Sequence, residues 1–101
     1  MTDAEYQAQK AQLQQQLAAV QQQMLYAQNN IASLHQQIYW ATWNMQQPGV
    51  TQDQINWYQS QITNYNNQLS FYMQQYNQLI GQSGALVQAL ITLENEYFYK
   101  R

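Results

Sequence analysis

A heptad repeat of mainly apolar side chains runs through this 101-residue chain and constrains its fold more than any other feature. In the first half these residues recur in alternating steps of four and three, as the a and d positions of a coiled coil do. Such spacing places them along one side of a long helix, which must then pack against a partner helix. We call this the first seam, and it consists of Tyr6, Lys10, Leu13, Leu17, Val20, Met24, Ala27, Ile31, Leu34, Ile38, Ala41 and Met45.

The repeat is interrupted once, at Gln47, Pro48 and Gly49. Proline biases its predecessor away from helix, and glycine permits a tight reversal. The chain is therefore predicted to be an all-α, long antiparallel helical hairpin in a single domain, with arm one at about 2–46, the turn at 47–50 and arm two at about 51–99. The second seam consists of Ile55, Tyr58, Ile62, Tyr65, Leu69, Tyr72, Tyr76, Leu79, Ser83, Leu86, Leu90, Leu93 and Tyr97.

Each predicted arm begins with the sequence of a capping box, in which a Ser or Thr side chain caps a helix and a Glu or Gln three residues later returns the bond. Thr2 with Glu5 opens the first arm, and Thr51 with Gln54 opens the second. Both helix starts can therefore be placed from sequence.

Gly81 and Gly84 leave an alternative open in the second arm. The second seam keeps its register across both glycines, which indicates one helix that is bent or loosened there. A break at residues 82–84 would instead give a three-helix bundle.

Folding the chain back at the turn pairs residues that are equally distant from it. This register places Ala27 opposite Tyr72 and Ala41 opposite Tyr58. Small residues opposite large ones fill the space between two helices to native density. The pairing therefore supports the hairpin by a test that neither seam contains alone.

Charged residues are scarce, with three basic and five acidic side chains in the whole chain. Between Lys10 and Glu94 the only formal charge is Asp53. Nucleic-acid binding requires several Lys or Arg side chains to neutralise phosphates, so no nucleic-acid partner is expected. The acidic residues near the chain ends are expected to pair with helix N-termini and with Lys10, Lys100 and Arg101.

Amide side chains replace charges beside the first seam, where ordinary coiled coils use opposite charges to select a partner. Any specificity must then come from hydrogen bonds and shape. A Gln-rich composition is also typical of disordered prion-like tracts, but the regular heptad spacing argues against disorder. The flanking amides are Gln7, Gln14, Gln21 and Gln28 on one side and Gln9, Gln16, Gln23, Asn30 and Gln37 on the other.

A second apolar stripe lies outside the seams. Two helices that bury their seams against each other cannot also bury this stripe. It indicates self-association, with the hairpin pairing into a four-helix bundle as a homodimer or higher oligomer. The alternative is that these are scattered surface apolar residues that need no partner. The predicted oligomerisation residues are Leu25, Ala32, Met73, Ile80, Gly84, Val87, Ile91 and Phe98, to which Ala4, Ala11, Ala18 and Tyr39 are added as further members of the stripe.

Four aromatic residues cluster near the turn: Tyr39, Trp40, Trp43 and Trp57. By heptad position the three tryptophans point away from the seams. Trp and Tyr are enriched at binding hot spots, which makes this tip a candidate site for a protein partner. They could equally be buried inside an oligomer or stack on one another to close the tip.

No constellation for catalysis, cofactor or metal binding is found. The chain has no cysteine, and its single histidine, His35, has no acidic residue within a helical turn or two. Metal-ligand spacings are absent. A non-enzymatic protein is therefore expected.

The most apolar stretch, residues 85–93, is far shorter than the ~20 residues that a membrane span requires. A soluble protein is therefore expected.

In composition the chain resembles small proteins encoded by viruses of thermoacidophilic archaea, which are charge-poor and rich in Gln, Asn and Tyr. The resemblance covers the whole chain and carries no functional residue. It implies a virion component or a host-interaction factor, located in the virion or the host cytoplasm. The sequence thus favours a structural or assembly protein, with a small dimeric adaptor as the alternative.

Overall fold

The computed structural model describes residues 1–99, and over that range the chain is an all-α helical hairpin, as predicted. Helix α1 spans Asp3–Met45 and helix α2 spans Gln52–Tyr99. The chain packs as two compact units. Unit 1 combines Met1–Leu25 with the part of α2 that begins at Asn77, and unit 2 is Tyr26–Tyr76, which contains the turn.

Helix α2 passes through Gly81 and Gly84 without interruption, which excludes the three-helix alternative. Each glycine costs a helix about 1 kcal/mol relative to alanine. An uninterrupted helix keeps the seam in register on both sides, with Leu79 buried and Leu86 half-buried. Packing of the seam therefore outweighs the local preference of the two glycines.

Both predicted caps are present, and the second is the more complete. The Thr51 backbone N–H donates to Gln54 Oε1 at 2.9 Å, and the Gln54 N–H donates to Thr51 Oγ1 at 3.2 Å. At α1, the Glu5 N–H donates to Thr2 Oγ1 at 3.1 Å, while the Thr2 hydroxyl donates to Glu5 Oε1 at 3.1 Å. Each cap satisfies backbone donors that a helix start leaves without a partner.

The reversal between the helices is a four-residue turn at 47–50. The Val50 N–H donates to the Gln47 carbonyl at 3.4 Å, and Gly49 has a φ of +83°. Proline at the second position and a positive φ at the third are features of a type II turn. Gly49 is required here because an L side chain at this φ would be strained.

Burial follows the two predicted seams closely. Every seam residue is buried or half-buried, whereas the flanking amides are mostly exposed. This confirms the predicted heptad register along both helices. The most deeply buried side chains are Tyr6, Val20, Ala27, Leu34, Ala41, Leu79, Leu93 and Tyr97.

Unit 1 contains a compact aromatic core where the two helices begin and end. The rings of Tyr6 and Tyr97 stack at 4.0 Å, and Leu93 packs against both. Lys10 lies 5.5 Å from the Tyr6 ring centroid, and its Nζ is 3.8 Å from a carboxylate oxygen of Glu94. This pair agrees with the expected pairing of the end charges, and the predicted roles of Lys100 and Arg101 lie outside the described residues.

Candidate interaction surfaces

The second apolar stripe is exposed on unit 1. Its larger α2 side chains are between 43% and 54% exposed, although they recur at regular helical spacing. The first-arm stripe positions in unit 1 are mostly alanines, which are too small to cover them. The predicted oligomerisation residues that are exposed within unit 1 are Leu25, Ile80, Gly84, Val87, Ile91 and Phe98, and the stripe alanines Ala4, Ala11 and Ala18 are exposed there as well.

Two further predicted oligomerisation residues lie in unit 2, where the stripe thins out. Ala32 and Met73 are both exposed. On α2, the stripe positions between the turn and Met73 are occupied by polar residues such as Asn56, Thr63 and Asn66. The large apolar members of the stripe on α2 are therefore concentrated in unit 1, from Ile80 onward.

Phe98 differs from the rest of the stripe because its ring already has partners inside unit 1. It makes edge contacts with Tyr6 at 5.6 Å and with Tyr97 at 4.8 Å between ring centroids. These contacts leave about half of the ring open to solvent. Phe98 thus joins the aromatic core to the exposed stripe.

All four aromatic residues predicted near the turn are exposed. The structure brings two of them together: Trp40 and Trp57 contact the half-buried Tyr58 ring at 5.7 Å and 5.1 Å. Both contacts are edge-to-face, an arrangement that the ring quadrupoles favour. Among residues 1–99, Tyr39 and Trp43 make no comparable ring contact, so the predicted tip site divides into a three-ring cluster and two separate side chains.

A second three-ring cluster in unit 2 was not predicted. Tyr26 and Phe71 contact the half-buried Tyr72 ring at 6.4 Å and 5.4 Å, again edge-to-face. Each of its members lies two heptads from its counterpart in the first cluster. That spacing is visible in the sequence, but Tyr26 and Phe71 are separated by most of unit 2 and share no motif. We call Trp40, Trp57 and Tyr58 the tip cluster, and Tyr26, Phe71 and Tyr72 the middle cluster.

Unit 1 also carries shallow grooves beside the seam. One, of about 470 Å³, is lined by Leu13, Ala85, Ala89 and Thr92 among others, and a second, of about 370 Å³, lies next to Val20. The grooves arise because small side chains follow the seam on this side of α2. Both are open to solvent, and they contain no grouping of nucleophile, acid and base.

Within residues 1–99, no group of three or more His, Cys, Asp or Glu side chains is placed to hold a metal ion. His35 is exposed on α1. Neither helix, over the residues described, contains an apolar segment sufficient to cross a lipid bilayer.

The fold and its surfaces define a class: an all-α helical hairpin of low charge, with an aliphatic stripe on one unit and exposed aromatic clusters on the other. No protein-family model, curated protein or solved structure matches the chain. Its function must therefore be inferred from the chemistry of these surfaces.

We expect Trp43→Ala and Trp57→Ala to reduce stability only slightly. Both side chains are 53% exposed. Surface substitutions usually change the free energy of unfolding by about 0.5 kcal/mol or less, whereas truncating a core aromatic costs about 3–5 kcal/mol. The loss should be greater for Trp57, because of these two tryptophans Trp57 alone packs on Tyr58. Urea denaturation measures both. Losses of several kcal/mol from both variants would mean that the tip is packed interior.

Proposed function

We propose that this protein is a non-enzymatic, self-associating helical protein that serves as a structural or assembly component. The observation that carries the proposal is the regular, exposed aliphatic stripe on unit 1. Scattered surface apolar residues are normal, but a continuous stripe on a helix is typical of an interface. The occupant we assign to it is a second copy of the chain.

The exposed area supports association. The chain exposes 7221 Å², whereas a globular monomer of 12.0 kDa is expected to expose about 6,000 Å². The excess is about 1,200 Å², and a standard interface buries about 800 Å² on each partner. Dimerisation through the stripe would thus bring the exposed area per chain close to that of an ordinary folded protein.

The residues within the stripe suit close packing of helices. Gly84 has open space around its Cα, and Ala4, Ala11 and Ala18 are exposed on α1. Small side chains at these positions allow a second pair of helices to approach, and Ile80 and Val87 would then be buried between the pairs. We infer a four-helix bundle with two-fold symmetry, in which the same stripe forms both sides of the interface.

The composition is compatible with an assembly that functions in an acidic setting. A surface built from amides carries few groups that gain or lose a proton as pH falls, unlike a surface built from carboxylates. Together with the compositional resemblance to proteins of archaeal viruses, this favours a virion component over a host-interaction factor.

The double substitution Ile80→Gln with Val87→Gln tests the proposal. Gln has a helix propensity at least as high as those of Ile and Val, so α2 should remain intact. We expect the molar mass measured by light scattering to fall toward that of one chain. We also expect a lower melting temperature, because an oligomer is stabilised by its own association.

Tyr99→Gln provides the control, because Tyr99 is exposed in the same unit but lies outside the stripe. It should leave the molar mass unchanged. An oligomer that persists with both Ile80 and Val87 replaced would show that the stripe is not the interface. A wild-type chain that is monomeric at all concentrations would contradict self-association itself.

A small adaptor that captures another protein through the tip is a second candidate. It is favoured by Trp43 and Tyr39, which are exposed beside the turn and make no ring contact among the residues described. Stoichiometry distinguishes the two functions, since an adaptor stops at a dimer and an assembly protein polymerises or occurs in many copies. In a pull-down from the native source, an adaptor would lose its specific partner on Trp43→Ala, and an assembly component would recover chiefly itself.

A further inference from the structure

The two aromatic clusters of unit 2 are built alike. In each, a half-buried seam tyrosine makes one edge-to-face contact with an exposed ring on α1 and one with an exposed ring on α2. The angles between the ring planes lie between 72° and 77° in all four contacts. The four outer rings, each at least half exposed, are Tyr26 and Trp40 on α1 and Trp57 and Phe71 on α2.

The clusters lie on one face of unit 2. Corresponding rings are separated by two heptads, and both seams keep their heptad register, so they occupy the same position around each helix. Fourteen residues of α-helix correspond to about 21 Å, which is the separation of the two clusters along the helices. A ligand that contacts both clusters must therefore span at least about 21 Å.

Hydrogen-bonding side chains occupy the same face between the clusters. Ser33 and Gln37 on α1 are exposed and bonded to each other at 3.3 Å, and Asn64 and Gln68 on α2 are exposed. Amides and hydroxyls both donate and accept hydrogen bonds. The face carries no formal charge, because the only charged residue in unit 2, Asp53, occupies a heptad position away from it.

We propose that this face binds a neutral polysaccharide chain. Sugar rings present C–H groups that pack against the negative faces of aromatic rings, and their hydroxyls donate and accept as the intervening amides do. A charged polymer would find no counter-charge on the face. A proline-rich peptide fits less well, because proline has no backbone N–H to donate to the amide oxygens. The face is separate from the stripe on unit 1, so this inference does not depend on self-association.

Isothermal titration calorimetry of the full chain tests the proposal. The probes are linear neutral hexasaccharides of glucose, in both α and β linkage, and of N-acetylglucosamine, together with the corresponding disaccharides. We expect at least one hexasaccharide to bind. Its disaccharide should bind at least about tenfold more weakly, because it cannot reach both clusters.

Substitutions in each cluster provide the structural test. Trp57→Ala and Phe71→Ala should each weaken binding by about tenfold, since each removes one stacking surface. Trp43→Ala is the matched control, because Trp43 is as exposed as Trp57 but lies outside both clusters, and it should leave the affinity unchanged. Circular dichroism would verify that all three variants keep their helical content.

Several outcomes would overturn the proposal. One is that none of the hexasaccharides binds, and another is that the two cluster variants behave like Trp43→Ala. Tighter binding of a proline-rich peptide than of every sugar, with the same dependence on Trp57 and Phe71, would assign the face to peptides. A fall in molar mass for the cluster variants without any sugar binding would assign it to a second copy of the chain.

Discussion

Leu93→Ala should lower the free energy of unfolding by about 2–5 kcal/mol, the range for truncating a buried leucine. Leu93 is only 5% exposed and packs with Tyr6 and Tyr97, and Leu13 adjoins this cluster. The substitution removes apolar contacts and leaves a cavity between two stacked rings and a helix. Those rings are unable to collapse into it without losing their stacking at 4.0 Å. Urea denaturation followed by circular dichroism would measure the loss.

Leu25→Ala is the matched control, since it makes the same chemical change in the same unit at a side chain that is 57% exposed. Its direct effect should be about 0.5 kcal/mol or less. Because Leu25 belongs to the stripe, both variants should be measured at two protein concentrations, and a contribution from association would appear as a concentration dependence. Equal losses for the two leucines would contradict the assigned core of unit 1.

Ala27→Leu should destabilise the protein by about 1–3 kcal/mol through overpacking. Ala27 is completely buried, and the hairpin register places it opposite Tyr72. A larger side chain would have to displace the Tyr72 ring, which also holds Tyr26 and Phe71 in the middle cluster. The substitution should therefore reduce stability even though leucine is nearly as good a helix former as alanine.

Ala32→Leu serves as the control for this change. Ala32 lies on the same helix in the same unit, but its side chain is exposed. Chemical denaturation should show almost no loss for this variant, and because Ala32 belongs to the stripe it should be measured at two protein concentrations. An equally small loss of unfolding free energy for Ala27→Leu would contradict the prediction. It would mean that the two helices of unit 2 are too far apart at this layer for Ala27 to be closely packed.

Sequence was informative about the fold because the repeat is local and almost uninterrupted. The seam residues, both capping boxes and the turn at Pro48 and Gly49 were all predicted, and burial confirms the seams. The sequence could not decide in this way whether α2 continues through Gly81 and Gly84. Intrinsic propensity and seam register oppose each other there, and their balance depends on packing against α1.

The candidate surfaces were predictable only in part. Exposure of the stripe and of the aromatic side chains near the turn followed from heptad position. Heptad position did not predict that Trp40 and Trp57 both pack on Tyr58. It did not predict the middle cluster either. Edge contacts between rings depend on side-chain rotamers and on the distance between helices, and neither can be read from residue spacing.

The sequence by itself therefore determined the secondary structure, the position of the reversal and which side of each helix faces the other. A heptad repeat encodes these features through the geometry of a single helix, so neighbouring residues suffice to specify them. Only the tertiary structure decided which exposed side chains come together, as Tyr26 and Phe71 do across unit 2. Contacts between distant segments depend on how two helices pack, and the binding chemistry that we propose for this protein arises from those contacts.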